Sequence, residues 1–250
     1  MGSLDYAISF SAWWGVIVLV VAALKVFRLI VFNPVWLVVA FVLHGLYMSA
    51  NVIGIPFWDI EAVMGDLRWN WDGKIASFAI SVLALLALSI ISQKISFRKA
   101  GVTLVQNPGS VIPALIVMGV LIASVIALEI AANDGKSLGV ERLLFQATMP
   151  GFDEEIYFRG VLLLVLAIAV ENKGVNFLSA PINWAGFLVT LLFGLGHSMF
   201  WQDGAFGFSV IIFVYTFYLG FGLLWIREKT GSILIPLVAH NLINVSGSFF

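Results

Sequence analysis

Eight long apolar stretches constrain the fold of this chain more than any other feature of its sequence. A helix needs about 17 to 25 apolar residues to cross the hydrocarbon core of a bilayer, and each stretch satisfies that requirement. Because 61% of all residues are hydrophobic and 11% are charged, little of the chain remains for a soluble domain. The stretches are residues 7–26, 34–56, 75–92, 110–132, 152–170, 184–200, 207–226 and 232–248.

This pattern predicts an all-α fold, a polytopic membrane helical bundle of about eight transmembrane helices. We expect residues 1–250 to form a single integral membrane domain, in the cell membrane if the source is prokaryotic. The first stretch lacks the basic residues that open a secretory signal peptide, so we expect it to be retained as a span. The mean hydropathy of +1.05 agrees with a multi-pass membrane protein.

Charge and cysteine content exclude several kinds of site. A formal net charge of −1 provides no basic surface that would bind nucleic acid through its phosphates. The absence of cysteine excludes disulfides, thiolate metal ligands and a cysteine nucleophile. The lipid bilayer is therefore an expected partner, and nucleic acid is not.

The distribution of Lys and Arg predicts that both termini lie outside the cytoplasm, because cytoplasmic loops are enriched in these residues. The loops after the first, third, fifth and seventh spans carry twice as many as the opposite side. The first group is Lys25, Arg28, Lys94, Arg98, Lys99, Lys173, Arg227 and Lys229, and the second is Arg68, Lys74, Lys136 and Arg142.

Ionisable residues within the spans are candidates for function, because each costs about 2.5 to 3.5 kcal/mol at a helix centre. We interpret His44 as a packed core residue and Glu129 as an interfacial or structural one. The candidates are His44, Glu129, Glu154, Glu155, Arg159, His197 and His240, with Asn241 and Asn244 as uncharged companions.

The segment PGFDEEIYFRG places three acids directly before an apolar run. We expect Pro150–Gly151 to break the chain and Asp153 to cap the next helix, because Asp is a preferred N-cap residue. Glu155 and Arg159 are four residues apart with the acid first, which favours an ion pair along a helix. Glu154 points about 100° away around that helix and has no cation nearby in the sequence. Glu154 is therefore the acid that remains free to face another helix.

Three polar residues on later spans are predicted to meet Glu154. The fifth span begins on the membrane side where the sixth ends, so Glu154 and His197 lie toward the same face. The last span runs in the same direction as the sixth, and His240 and Asn244 share one face of it because they are four residues apart. We therefore expect these four residues to converge within one leaflet.

A carboxylate, two imidazoles and a carboxamide suit the hydrolysis of an amide bond. Glu154 can act as a general base on water, an effect of about 10² to 10⁴ in rate, while His197 helps to hold that water. His240 and Asn244 can donate hydrogen bonds to the developing oxyanion.

A metal site is the alternative use of the same residues. Glu154, His197 and His240 match the two-histidine, one-carboxylate set of many hydrolytic zinc sites, and Zn²⁺ lowers the pKa of its bound water. Glu155 would then serve as the base, in competition with its pairing to Arg159. The cofactor is therefore either none or one divalent metal ion, with Zn²⁺ as the expected ion.

Three motifs occur in order on the late spans: Glu154-Glu155-x-x-x-Arg159, Phe193-x-x-x-His197 and His240-x-x-x-Asn244. Together they resemble the motifs of the CAAX-protease and bacteriocin-processing family of intramembrane proteases, which includes the type II CAAX prenyl endopeptidases. The segment REKTGSILIPLVAHNLIN is also similar to the family's approach to its last motif. The resemblance covers about residues 140–247, whereas residues 1–110 match only in being membrane-embedded helices.

This resemblance implies an intramembrane endopeptidase that hydrolyses a peptide bond in a membrane-associated peptide or protein. The substrate is either a CAAX-type protein or a bacterial peptide or bacteriocin-related precursor. Family members are described both as metalloproteases and as glutamate proteases, and the local chemistry favours the second because Asn is an uncommon zinc ligand. The implied roles are Glu154 as the base, His197 as its partner, His240 and Asn244 at the oxyanion or metal, and Glu155 with Arg159 as support.

Two other classes of membrane protein remain open. A proton-coupled transporter also buries Glu and His, but it predicts two matching inverted halves, whereas the polar residues here are concentrated after residue 150. A non-catalytic immunity or interaction protein of the same fold is the other alternative.

Overall fold

The computed structural model describes residues 3–54, 67–132 and 139–249. A π-helical segment, Gly151–Leu162, joins the α-helices Val140–Pro150 and Leu163–Ala169, so Val140–Ala169 is one uninterrupted helix, which we call the central helix. The α-helices are α1 (Ser3–Val26), α2 (Pro34–Ile53), α3 (Trp71–Ile91), α4 (Val111–Ala132), α5 (Val140–Pro150), α6 (Leu163–Ala169), α7 (Trp184–Ser198), α8 (Val210–Thr230) and α9 (Leu234–Ser246).

The helical membrane bundle predicted from the apolar stretches is confirmed. When the central helix is counted once, the described residues contain eight helices. Helices α1, α2, α3, α4 and α8 are long and apolar enough to cross a bilayer, whereas α7 and α9 are apolar but shorter. The chain is therefore an integral membrane protein of the helical type.

Pro150 and Gly151 do not break the helix, contrary to the prediction. Proline lacks the N–H of a helical turn, and its ring clashes with the carbonyl of the preceding turn. The backbone widens into a π-helix after Pro150 instead of ending there. The N–H of Gly151 donates to Oδ1 of Asn241 on α9 at 2.7 Å. Asp153 is consequently not an N-cap but a fully buried residue inside the central helix.

Short antiparallel ribbons connect several helices. The first ribbon joins the loop after α1 to the end of the central helix, so these two ends lie on the same side of the membrane. The third ribbon lies between α7 and α8 and takes up residues at the ends of two predicted spans, so α7 ends earlier and α8 begins later than predicted. The ribbons are β1 (Val31–Phe32) with β2 (Val170–Glu171), β3 (Val175–Phe177) with β4 (Ala180–Ile182), and β5 (Met199–Gln202) with β6 (Ala205–Phe208).

The central helix lies in the middle of the bundle. Its π-helical segment packs against α2, α3, α7 and α9, and ten of its twelve residues are buried. Aromatic side chains fill the space toward α2, where the ring of Tyr157 stacks on Tyr47 at 3.8 Å and on His44 at 5.8 Å. The polar side chains of this segment are therefore enclosed by protein rather than by lipid.

Lys74 and Arg227, which are counted among the cations that indicate orientation, have side chains that are buried rather than exposed in loops. Lys74 lies in the first turns of α3 with its side chain largely buried. Arg227 is buried in the last turn of α8 and donates to the backbone carbonyls of Arg159 and Lys99. Lys136 lies outside the described residues. Without Lys74 and Arg227, seven Lys and Arg remain on one side and three on the other, so the predicted orientation is unchanged.

Candidate active site

Glu154 lies in the central helix, close to α3 and α9. Its Oε1 atom accepts a hydrogen bond from Nζ of Lys74 at 2.6 Å. Its Oε2 atom is buried, has no hydrogen-bond partner among the described residues, and lies 3.9 Å from Nε2 of His240. One carboxylate oxygen is therefore held by a cation, and the other is available.

Lys74 and Asp153 belong to this site although the sequence pattern does not reveal them. Nζ of Lys74 contacts Oδ2 of Asp153 at 2.9 Å as well as Oε1 of Glu154. Asp153 also accepts hydrogen bonds from the hydroxyls of Tyr47 at 2.8 Å and Ser77 at 2.7 Å. A lysine just before an apolar stretch is typical of an interfacial anchor, and no local signal connects it to a residue 80 positions later.

The predicted ion pair between Glu155 and Arg159 is present, with 2.8 Å between Oε1 and Nη1. Both side chains are fully buried. Arg159 also donates to the carbonyl of Gly220 at 3.0 Å and lies over the ring of Phe193 at 4.6 Å. The pair therefore ties the central helix to α7 and α8.

The imidazole of His240 is oriented by Glu155. Nδ1 of His240 lies 2.7 Å from Oε1 of Glu155. An ionised carboxylate can only accept a hydrogen bond, so Nδ1 carries a proton. This contact directs Nε2 toward Glu154 and fixes the orientation of the ring.

His197 occupies the last turn of α7. Its Nδ1 atom lies 2.7 Å from the carbonyl oxygen of Phe193, which can only accept, so Nδ1 is again the donor. Nε2 of His197 is left for a partner in the cavity beside it. Of the two glycines in this turn, Gly194 packs against Phe213 of α8, whereas the Cβ position of Gly196 has nothing within 4 Å.

The four predicted residues line one cavity of about 400 Å³, which we call the first cavity. The half-buried side chain of Asn244 makes no hydrogen bond to any described residue, so its amide is available there. Glu129 also lines this cavity, at its edge near the end of α4. The residues brought together by the fold are Glu154, His197, His240 and Asn244.

A second cavity of about 190 Å³ adjoins the first. His44, interpreted above as a core residue, is buried and accepts a hydrogen bond at Nδ1 from Nε1 of Trp14 at 2.9 Å. It also lines this second cavity. The residues shared by the two cavities are Lys74, Glu154, Phe193 and His197.

The donor set does not fit a metal ion as it is arranged. Across residues 3–54, 67–132 and 139–249, no three His, Asp or Glu side chains come together in a way that could hold one. The ammonium group of Lys74 also occupies Oε1 of Glu154, and its charge opposes a second cation at that carboxylate. The chemistry proposed below is therefore that of the side chains alone.

Comparison with known proteins concerns the carboxy-terminal part of the chain. No curated protein and no solved structure matches the chain significantly. Residues 136–246 match the family model for Rce1-like type II CAAX prenyl endopeptidases, and this range contains all three motifs. Helices α1 to α4 lie before it. The resemblance stated from the motifs is thus confirmed at the level of a family model, and residues 136–246 of this chain are similar to the Rce1-like type II CAAX prenyl endopeptidases.

Proposed function

We propose that this protein is an intramembrane endopeptidase in which Glu154 activates the water that attacks a peptide bond. The observation that carries this proposal is Oε2 of Glu154, which is buried, unpartnered among the described residues and 3.9 Å from His240. A buried acceptor without a partner costs about 1 to 3 kcal/mol, so a water is a favourable occupant. The match of residues 136–246 to an endopeptidase family model supports the reaction class.

In the first step, Oε2 of Glu154 takes a proton from the water while the water oxygen bonds to the carbonyl carbon. Nε2 of His197 accepts the second hydrogen of the water and so orients it. The carbonyl oxygen becomes an oxyanion, which accepts hydrogen bonds from Nδ2 of Asn244 and from a protonated Nε2 of His240. Collapse of this intermediate breaks the C–N bond, and Glu154 returns its proton to the leaving amine.

The local charge balance supports a proton on His240. The cluster contains three carboxylates, Asp153, Glu154 and Glu155, and two cations, Lys74 and Arg159. One further proton makes the cluster neutral, which matters in a low-dielectric interior where an uncompensated charge is costly. Glu155 is hydrogen-bonded to Nδ1 of His240 and stabilises the imidazolium when Nε2 donates to the oxyanion.

We propose a membrane-associated peptide or protein as the substrate, cleaved near its carboxyl end. Apolar side chains of α4 and α8, including Val125, Leu219 and Leu223, line the first cavity together with the polar groups, so it suits a chain that arrives from the bilayer. Both prenylated CAAX-type peptides and unmodified peptides belong in the test. In a prokaryotic source the enzyme would act at the cell membrane, on its non-cytoplasmic side.

The decisive experiment compares purified wild-type protein with Glu154→Gln against a library of short peptides, with and without a prenyl group. Glu154→Gln keeps the size of the side chain but removes the base, so we expect the rate to fall by about 10² to 10⁴. Glu129→Gln is the matched control, because Glu129 lines the same cavity without a proposed role in the reaction. Wild-type cleavage that Glu154→Gln leaves intact would refute the role of Glu154. No cleavage of any peptide by the wild type would favour the non-catalytic alternative.

A strong chelator distinguishes the two versions of the mechanism. We expect the wild-type rate to persist after metal removal has been verified by elemental analysis. A rate that is lost with the metal and restored by Zn²⁺ would instead establish the metalloprotease version, with Glu154, His197 and His240 as ligands.

A further inference from the structure

The site is placed between two cavities. The first cavity extends toward α4, α8 and α9, and the second extends toward α1 and α2. Glu154 and His197 line both. An extended peptide that presents its scissile bond to Glu154 therefore has room on each side of that bond.

His44 presents a single hydrogen-bond donor to the second cavity. The indole N–H of Trp14 can only donate, so Nδ1 of His44 must accept and cannot carry a proton. His44 is therefore the neutral tautomer with its proton on Nε2. This N–H makes no hydrogen bond to any residue in the described part of the chain, and the side chain lines the second cavity. The ring is held in place by stacking on Tyr157 at 5.8 Å.

Six large apolar side chains line the second cavity beside polar groups such as those of Tyr47, Asn51 and Lys74. Its wall suits a large apolar side chain, which gains free energy when it leaves water. The glycine at position 196 opens this space, because no atom lies within 4 Å of its Cβ position. The apolar lining residues are Trp13, Met48, Phe158, Leu192, Phe193 and Phe200.

We propose that the second cavity is the subsite for the substrate residue on one side of the scissile bond. It takes a large apolar side chain, and Nε2–H of His44 donates to a backbone carbonyl of the bound peptide. This inference rests on the proposed endopeptidase function. Because Trp13, His44 and Met48 come from α1 and α2, which precede the matched residues 136–246, the part of the chain outside the family match contributes to substrate selection.

Filling the subsite tests this inference. Gly196→Leu places a side chain in the second cavity without replacing any proposed catalytic group. For peptides with a large apolar residue at the subsite position, we expect KM to rise at least about tenfold, the scale of losing apolar contacts in a pocket. Peptides with glycine at that position should show a smaller rise in KM. Gly119→Leu is the matched control, since Gly119 also has nothing within 4 Å of its Cβ position but lies in α4, away from both cavities.

The donor is tested separately with His44→Phe, which preserves a stacking ring but removes the N–H. We expect a higher KM with a smaller change in kcat, and partial rescue by His44→Gln, which restores a donor. Phe41→Leu is the control, because Phe41 packs against Trp14 in the same aromatic cluster and does not line the second cavity.

A measurement of peptide binding tests the subsite independently of the catalytic proposal. The affinity of the Glu154→Gln protein for an uncleaved peptide should fall at least about tenfold when Gly196→Leu is added. Unchanged affinity and unchanged side-chain preference would overturn the subsite, even if Glu154-dependent cleavage is established. If the wild type cleaves no peptide but Gly196→Leu still weakens peptide binding, the subsite is retained and the endopeptidase function is refuted.

Discussion

Glu154 and Glu155 are adjacent in the chain but have different partners. Glu155 is fully buried, and its Oε1 atom is shared between Arg159 and His240. Glu154 uses one oxygen for Lys74 and leaves the other toward the cavities. The ammonium group of Lys74 compensates the charge of this carboxylate, which would be costly to bury without a partner. Lys74 is therefore part of the site and not a surface charge.

Replacing this cation gives a prediction at the scale of one residue. In Lys74→Met, the carboxylates of Asp153 and Glu154 lose their shared partner, and breaking a buried pair costs about 3 to 5 kcal/mol. We expect a lower unfolding temperature and a loss of peptide cleavage, while Lys74→Arg retains part of both. Thermal unfolding in detergent and peptide hydrolysis measure the two effects. Lys94→Met, at an exposed lysine after α3, should change neither. An unaltered rate in Lys74→Met would remove Lys74 from the site.

At the scale of elements, the π-helical segment sets the position of the acids relative to α9. Gly151 allows the central helix to lie close to α9, because a Cβ at this position would lie 2.5 Å from the carbonyl oxygen of Leu237 and 2.6 Å from Oδ1 of Asn241. Asn241 in turn accepts from the N–H of Gly151, so the two helices are joined at backbone level. His240 is adjacent to Asn241, and this contact therefore sets the distance between His240 and Glu154.

Gly151→Ala should separate the two helices. The added methyl group meets backbone and a side-chain amide, which cannot both move away, so we expect a destabilisation of about 1 to 3 kcal/mol. The rate of peptide cleavage should fall as well, because His240 moves with α9. Gly119→Ala is the control and should be neutral or stabilising, since alanine is favoured over glycine in a helix by about 1 kcal/mol. Equal stability of the two variants would show that the close contact is unimportant.

At the scale of the whole molecule, the site lies toward one membrane face. The first turns of α3 and the last turn of α7 supply Lys74 and His197, and the turn between β5 and β6 lies on the same side. The basic connection between α3 and α4, which contains Lys99, lies on the other side. With most Lys and Arg on that other side, we expect the site to open away from the cytoplasm.

The absence of cysteine makes this orientation simple to measure. An impermeant thiol reagent applied to intact cells should label Asp203→Cys, in the exposed turn between β5 and β6. Lys99→Cys should react only after the cells are permeabilised. The reverse pattern would place the site on the cytoplasmic side and contradict the orientation drawn from Lys and Arg.

The helical bundle can be predicted from the sequence alone, because the length and apolarity of a span are local properties that the bilayer imposes directly. So can the pair of Glu155 and Arg159, which depends only on helical spacing. The partner of Glu154 and the buried position of Asp153 could be seen only in the tertiary structure. Both depend on Lys74, a residue on another helix 80 positions away from Glu154, and helical periodicity carries no information about contacts between helices. The continuous path of the central helix through Pro150 is likewise a feature of the tertiary structure, in which the N–H of Gly151 donates to the carbonyl of Thr148 in its own helix and to Oδ1 of Asn241 on α9.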